Sequence, residues 1–278
     1  MSYSGKKVSL LTQHGKQDVM SPELLNSNGL EVVHVKDFDT DQLGTFTRDI
    51  PRYGSQLDAA RKKARLGMNI SGLTLGIASE GAFSADPYTG IFPWNYELVI
   101  FIDEIQELEV VGHFGGPAQS ASKTVSNWSE VEAFLEECKF PEHQLVIRPD
   151  DAFHSECMKG IKELKSLKDA FRWATGKSRE GNVFLENDLR AHTNPTRMAN
   201  IMRATQDLSQ KLTSLCPQCN VPGFWMAQKI KGLPCSECAT PTHLPIADVW
   251  ACAKCNFKRE IELQSKTADP SRCPNCNP

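Results

Sequence analysis

Short apolar runs of strand length recur through the first half of the chain, at 8–11, 30–35, 73–78, 97–102, 108–111 and 145–147, with helical patterns between several of them. The alternation predicts an α/β fold, an open mixed sheet with flanking helices. Helix starts are legible as capping boxes, Ser55 with Asp58 and Ser129 with Glu132, in which side chains satisfy the exposed amides of the first turn. Gly67 is placed to close the first of these helices. A further helix is expected over 160–173, followed by the polar stretch TGKSREGN. Asn194-Pro195 is the clearest start, since Asn caps well and Pro at the first helical position forfeits no hydrogen bond. A helix of about 18 residues should run from it to Ser214 or Leu215.

From residue 216 the pattern changes to prolines, few periodic apolar positions and four Cys-x-x-Cys pairs: Cys216/Cys219, Cys235/Cys238, Cys252/Cys255 and Cys273/Cys276. Intervals of 15, 13 and 17 residues separate them. One tight turn presents two thiolates and two turns complete a tetrahedral zinc shell, so eight thiolates make two four-cysteine sites. Sequential pairing, first with second and third with fourth, is the simplest assignment, with a cross-braced arrangement as the alternative. A segment this poor in core residues needs metal to fold, and closed four-cysteine sites are scaffolds. The expected organisation is an α/β domain over 1–213 and a C-terminal double zinc-ribbon module over 214–278. Phe224, Trp225, Trp250, Phe257, Lys258 and Arg259 either engage nucleic acid or protein or pack the ribbon cores. Cys138 and Cys157 read as ordinary buried thiols.

Composition sharpens this picture. The 278 residues carry a formal charge of -3, but 13 Lys and Arg face 23 Asp and Glu up to residue 157, whereas 18 face 11 after it. An acidic front argues against wrapping nucleic acid there, while the basic rear leaves phosphate contacts open. No run approaches the length of a membrane span and the start MSYSGKK lacks a signal-peptide core, so no membrane association and a cytoplasmic location are expected. There, paired cysteines read as metal ligands before disulfides.

Candidate chemistry falls in two places. LTQHGK, residues 11–16, sits where the first strand ends and a helix begins, the sheet edge at which α/β proteins bind ligands, and Lys16 can meet a phosphate there. DTDQLGTFTR, residues 39–48, offers Asp39, Asp41 and threonine hydroxyls, a set able to hold hydrated Mg²⁺ or simply a solvated acidic turn. The helix after Ser55 carries Arg61, Lys62, Lys63 and Arg65, suited to a solvated face or to a polyphosphate. The strand at 73–78 runs into Ser79-Glu80-Gly81, where a carboxylate fixed beside a glycine suits a metal ligand or general base; Glu80 leads, with Glu97 and Asp103 next. The second place is DLRAHTNPTR, residues 188–197. There Arg190, Arg197 and a helix N-terminus suit an anion, and His192 could act as acid or base oriented by Asp188, unless the segment is a structural hinge. His143 reads as a satisfied histidine.

The run of LTQHGK, DTDQLGTFTR, LGIASEGAF, FPEHQLVIRP, DLRAHTNPTRM and GLPCSEC resembles an uncharacterised bacterial domain family that also ends in cysteine pairs, along nearly the whole chain. The N-terminal third is similar in motif order to the inosine-triphosphate pyrophosphatase (Maf-like) superfamily. The matching positions are Thr12 with Lys16, then Asp58, Ala60, Lys63 and Ala64, then Glu80 with Gly81. His14 stands where that superfamily has Asn, with a spacing one residue shorter. Ala59 replaces the Asn of its helix motif, and a single Glu follows Ser79 in place of an acidic pair. The resemblance implies Mg²⁺-dependent hydrolysis of a nucleoside triphosphate, with Lys16 and Lys63 on phosphates and Glu80, joined by Asp41, on the metal and water. The competing expectation is a non-catalytic module whose zinc ribbons bind nucleic acid or protein while the α/β domain recognises an anionic ligand.

Overall fold

The computed structural model describes residues 3–36, 38 and 54–278. Its first sheet is built from β1 (Lys7–Leu11), β2 (Glu31–Val35), β3 (Leu75–Ala85), β4 (Pro93–Asp103) and β5 (Leu108–Pro117), in the order β2-β1-β3-β4-β5. β1 lies parallel to β2 and β3, whereas β3, β4 and β5 form an antiparallel meander, so the sheet is mixed. The helices α1 (Gln17–Asn28), α2 (Gln56–Ser71) and α5 (Pro195–Thr213) cover it. α1 and α5 bury Leu10, Ile77, Val99, Phe101, Ile201 and Leu208 on one face; α2 buries Ala60, Ala64, Met68, Ala78, Leu98 and Ile100 on the other. Burial on both faces is why these strands read as unbroken apolar runs.

Between β5 and α5 the chain builds a second, antiparallel sheet in the order β6-β9-β7-β8, from β6 (Ser122–Val125), β7 (Leu145–Pro149), β8 (Met158–Ile161) and β9 (Val183–Asn187). With α3 (Trp128–Glu137) and α4 (Leu164–Lys177) it has its own core, around Phe134, Ile147, Leu167 and Leu185. The expectation of one open sheet is corrected here, because the strand at 145–147 belongs to this second one. Local pattern announces a strand and says nothing of its partner.

Other differences have local causes. α2 passes through Gly67 and ends at Gly72, whose φ of 69° is left-handed. Gly67 serves close packing: a Cβ there would lie 3.2 Å from that of Leu11. α3 starts earlier than Ser129, because Asn127 accepts from the Glu130 amide while the Glu130 carboxylate accepts from that of Ser126. α4 extends to Lys177, taking the first part of TGKSREGN. The capping box at Ser55 and the Asn194 cap with Pro195 form as read. β3 continues to Ala85 because β4 pairs with it along its whole length, which puts Ser79, Glu80 and Gly81 inside the strand.

After α5 come three antiparallel strands, β10 (Phe224–Lys231), β11 (Pro245–Cys252) and β12 (Lys258–Glu262). This module docks on the first sheet at Gly223, whose amide donates to the carbonyls of Lys211 and Ser214 and where a Cβ would come within 2.9 Å of Val110. Among the described residues no helix is long and apolar enough to cross a membrane.

Candidate functional site

β1 ends at Leu11 while its neighbour β3 continues, so the residues after Leu11 turn off beside Ser79. Gly15, with φ 68°, makes that turn and brings Lys16 inward at the start of α1. Lys16 is 5% exposed; its Nζ donates to the Ser79 carbonyl at 2.8 Å and to the Ser79 hydroxyl at 3.3 Å. Strand alternation sends Glu80 to the α2 face, where Lys63 forms an ion pair with it. Glu97, across from Gly81 on β4, points to the α5 face and accepts from Arg197 Nε at 2.8 Å and Asn95 Nδ2 at 3.0 Å. Asn200 extends this buried network to Asn95 Oδ1, and Arg197 Nη1 also donates to the Leu189 carbonyl.

Lys16 thus lies within electrostatic reach of Arg197, Lys63, Glu80 and Glu97. Burial first, then the cations Arg197 and Lys63, pull its ammonium down to about 7, against the opposite pull of the two carboxylates. A buried ammonium hydrogen-bonded to neutral oxygens, with two cations nearby, favours either an anionic ligand or loss of its proton.

The second cluster meets the first in part. Arg197 joins it through Glu97, and the His192 ring stacks on His14, centroids 5.2 Å apart and planes within 19°. Arg190 instead grips the fully buried Asp188, Nη2 to Oδ2 at 2.6 Å, and Asp188 also accepts from the Gly160 amide. Asp188 therefore ties this segment to β8. The N-terminus of α5 is filled from within, Asn194 capping the Arg197 amide and His143 Nε2 facing the hydroxyl and amide of Thr196. The cap and the Asp188–Arg190 pair are contacts that a structural hinge uses, while Arg197 and His192 lie beside the Lys16 cluster. Asp103 sits at the opposite edge, bound to Tyr3 and Gln106. Asp39, Asp41 and the threonines of 39–48 lie outside the described residues. Asn95, Asn200 and the Ser79 carbonyl join the site without a motif; the legible signals are a polar Asn95 within an apolar strand and a polar Asn200 on the buried stripe of α5.

The cysteines form two tetrads, Cys216, Cys219, Cys252 and Cys255 near α5, and Cys235, Cys238, Cys273 and Cys276 beyond them. First pairs with third and second with fourth, so the sequential assignment is corrected to the cross-braced one. Facing sulfurs are 3.7 Å (Cys216 to Cys255), 3.6 Å (Cys219 to Cys252) and 3.5 Å (Cys238 to Cys273) apart. Four sulfurs about 2.3 Å from a tetrahedral ion would be about 3.8 Å apart. Asn220, Ala239 and Asn256, each following the second cysteine of a pair, have φ of 58°, 58° and 60°, which turns the chain around the sulfurs. The Cys252 sulfur accepts from the amides of Lys254 and Cys255, and that of Cys273 from the Asn275 amide. Phe224, Trp250 and Phe257 pack around the first tetrad, as the core-packing alternative expected.

Fold and sites define a mixed α/β protein with two C-terminal cysteine tetrads able to hold metal ions. The chain belongs to the family described as a domain of unknown function (DUF6671), whose match spans residues 63–278. Lys63, Glu80, Glu97, Arg197 and all eight cysteines of the tetrads fall inside that span, and Lys16 and Asp41 precede it. No curated protein matches the chain.

Proposed function

We propose that the protein hydrolyses a phosphate-containing small molecule, such as a nucleoside triphosphate, at the carboxyl end of β1, and that its cysteine tetrads hold two structural zinc ions. The observation that carries the first part is Lys16, buried, bonded to neutral oxygens of Ser79 and flanked by Lys63 and Arg197. An entering phosphate supplies the negative charge these cations call for and competes with Glu80 for Lys63. With Lys63 drawn to the phosphate, the Glu80 carboxylate would orient water or receive its proton.

The metal of this reading is Mg²⁺, for which Glu80 supplies the carboxylate. Among the described residues only the cysteine tetrads group three or more ligating side chains, and Mg²⁺ characteristically uses one or two carboxylates with substrate phosphates and waters. Glu80 would hold it, and the resemblance implies Asp41, outside the described residues, as its companion. When bound it would neutralise charge on the phosphoryl oxygens. The similarity to the inosine-triphosphate pyrophosphatase (Maf-like) superfamily supports the same reading, since its matching positions Lys16, Lys63 and Glu80 converge on one edge of the sheet. Zinc follows from tetrahedral all-thiolate chemistry in closed shells.

The test is phosphate and pyrophosphate release from a panel of nucleoside triphosphates, inosine triphosphate included, with Mg²⁺ or Mn²⁺. Release lost in Glu80→Gln supports the proposal; release retained in that variant removes Glu80 from its role. Silence across the panel transfers weight to the second reading, docking of nucleic acid or protein through the zinc module. That reading is favoured by β12, all five of whose residues are exposed, Lys258 and Arg259 among them.

A further inference from the structure

The two tetrads are not equally protected. The proximal one is wedged against the first sheet: Gly223 abuts Val110, Lys254 pairs with Glu107, and Phe224, Trp250 and Phe257 pack around the sulfurs. Cys216 and Cys252 are buried there, and Cys219 and Cys255 are half-buried. The distal tetrad has no comparable aromatic cover among the described residues; Cys235 and Cys273 are buried, but Cys238 and Cys276 are exposed. The sulfurs of these two exposed cysteines are 3.4 Å apart, on turns from the second and fourth pairs.

We propose that Cys238 and Cys276 are an oxidation site at which a peroxide converts the two thiolates to a disulfide and expels the distal metal, while the proximal tetrad keeps its own. This rests on the reading of both tetrads as zinc sites. Metal holds cysteines as thiolates, the form that attacks peroxides, so exposure decides which sulfurs react. One exposed thiolate attacks the O–O bond to give a sulfenic acid and hydroxide. The other thiolate then attacks that sulfur, forming the S–S bond and releasing a second hydroxide. Two protons convert both hydroxides to water, so two electrons pass from the sulfurs to one peroxide. Cys235 and Cys273 are left as two ligands, too few to retain zinc, and reduction with added zinc restores the site.

The experiment uses the full zinc-loaded chain, titrated with hydrogen peroxide in the presence of a chromogenic zinc chelator and followed by peptide mapping. The expected result is one zinc equivalent released of two, a Cys238–Cys276 disulfide, and recovery with a thiol reductant and zinc. Release of both equivalents together, release of neither, or a disulfide within the proximal tetrad overturns the proposal. Cys238→Ala with Cys276→Ala should leave one zinc that peroxide does not release, and peroxide release of that zinc also overturns it. Metal analysis before oxidation separates the two claims: a chain without zinc defeats the zinc reading itself, whereas two zincs lost without selectivity defeat only the inference.

Discussion

Gly81 on β3 stands so close to Glu97 on β4 that a Cβ at Gly81 would come 2.1 Å from Glu97 Oε1 and 2.8 Å from Arg197 Nη2. The absent side chain is what lets the ion pair lie against the strand. Gly81→Ala should destabilise the protein by about 1–3 kcal/mol, as overpacking of a buried site does, and, under the proposed function, weaken pyrophosphate binding by displacing Arg197. Thermal unfolding and a pyrophosphate titration check this; a variant unchanged in both would show that the ion pair can shift without consequence.

Lys16 should give the protein a distinctive pH dependence. In the folded chain its ammonium loses its proton near pH 7, against an ordinary value of 10.5 for the unfolded chain. Between those values the unfolded state binds more protons, so this residue's destabilising effect is complete below about pH 7 and fades as pH rises towards 10.5. Relative to Lys16→Met, which cannot titrate, the wild-type protein should gain stability over that window. Unfolding midpoints of the two proteins that stay parallel from pH 7 to pH 10 would contradict the burial of a titrating amine.

Cross-bracing makes a prediction that sequential pairing does not. Cys216→Ser with Cys252→Ser should remove one metal and leave the other fully bound, because both residues belong to one tetrad. Cys216→Ser with Cys235→Ser should damage both sites, as they belong to different tetrads. Native mass spectrometry of the purified variants distinguishes the two arrangements by counting bound metals.

Ala239 occupies a left-handed turn position, φ 58°, where the corresponding residues of two other pairs are Asn220 and Asn256. A residue with a Cβ pays about 1–2 kcal/mol there, which glycine avoids and asparagine tolerates. Ala239→Gly should therefore bind the distal metal more tightly than the wild type in a chelator competition, by up to about tenfold. Equal or weaker retention would place the relevant cost elsewhere in the turn.

The signals legible in this sequence act within a few residues. The Ser55 capping box, the Asn194-Pro195 start of α5, the apolar cores of the first-sheet strands and the two-residue spacing of the cysteines each concern one turn or one strand. Lys16, Lys63, Glu80 and Arg197 were legible as candidates for the same reason, being charged residues at the ends of apolar runs or on an amphipathic helix. Which of them meet depends on the folding of distant segments onto one another. Lys16 lies 63 residues from Ser79, and Glu97 lies 100 from Arg197, and no periodicity carries information over such separations. The same holds for the division of strands between two sheets, the diversion of Arg190 to Asp188 and the choice of cross-bracing. Each depends on pairings between distant segments, selected by the burial and charge balance of the whole fold.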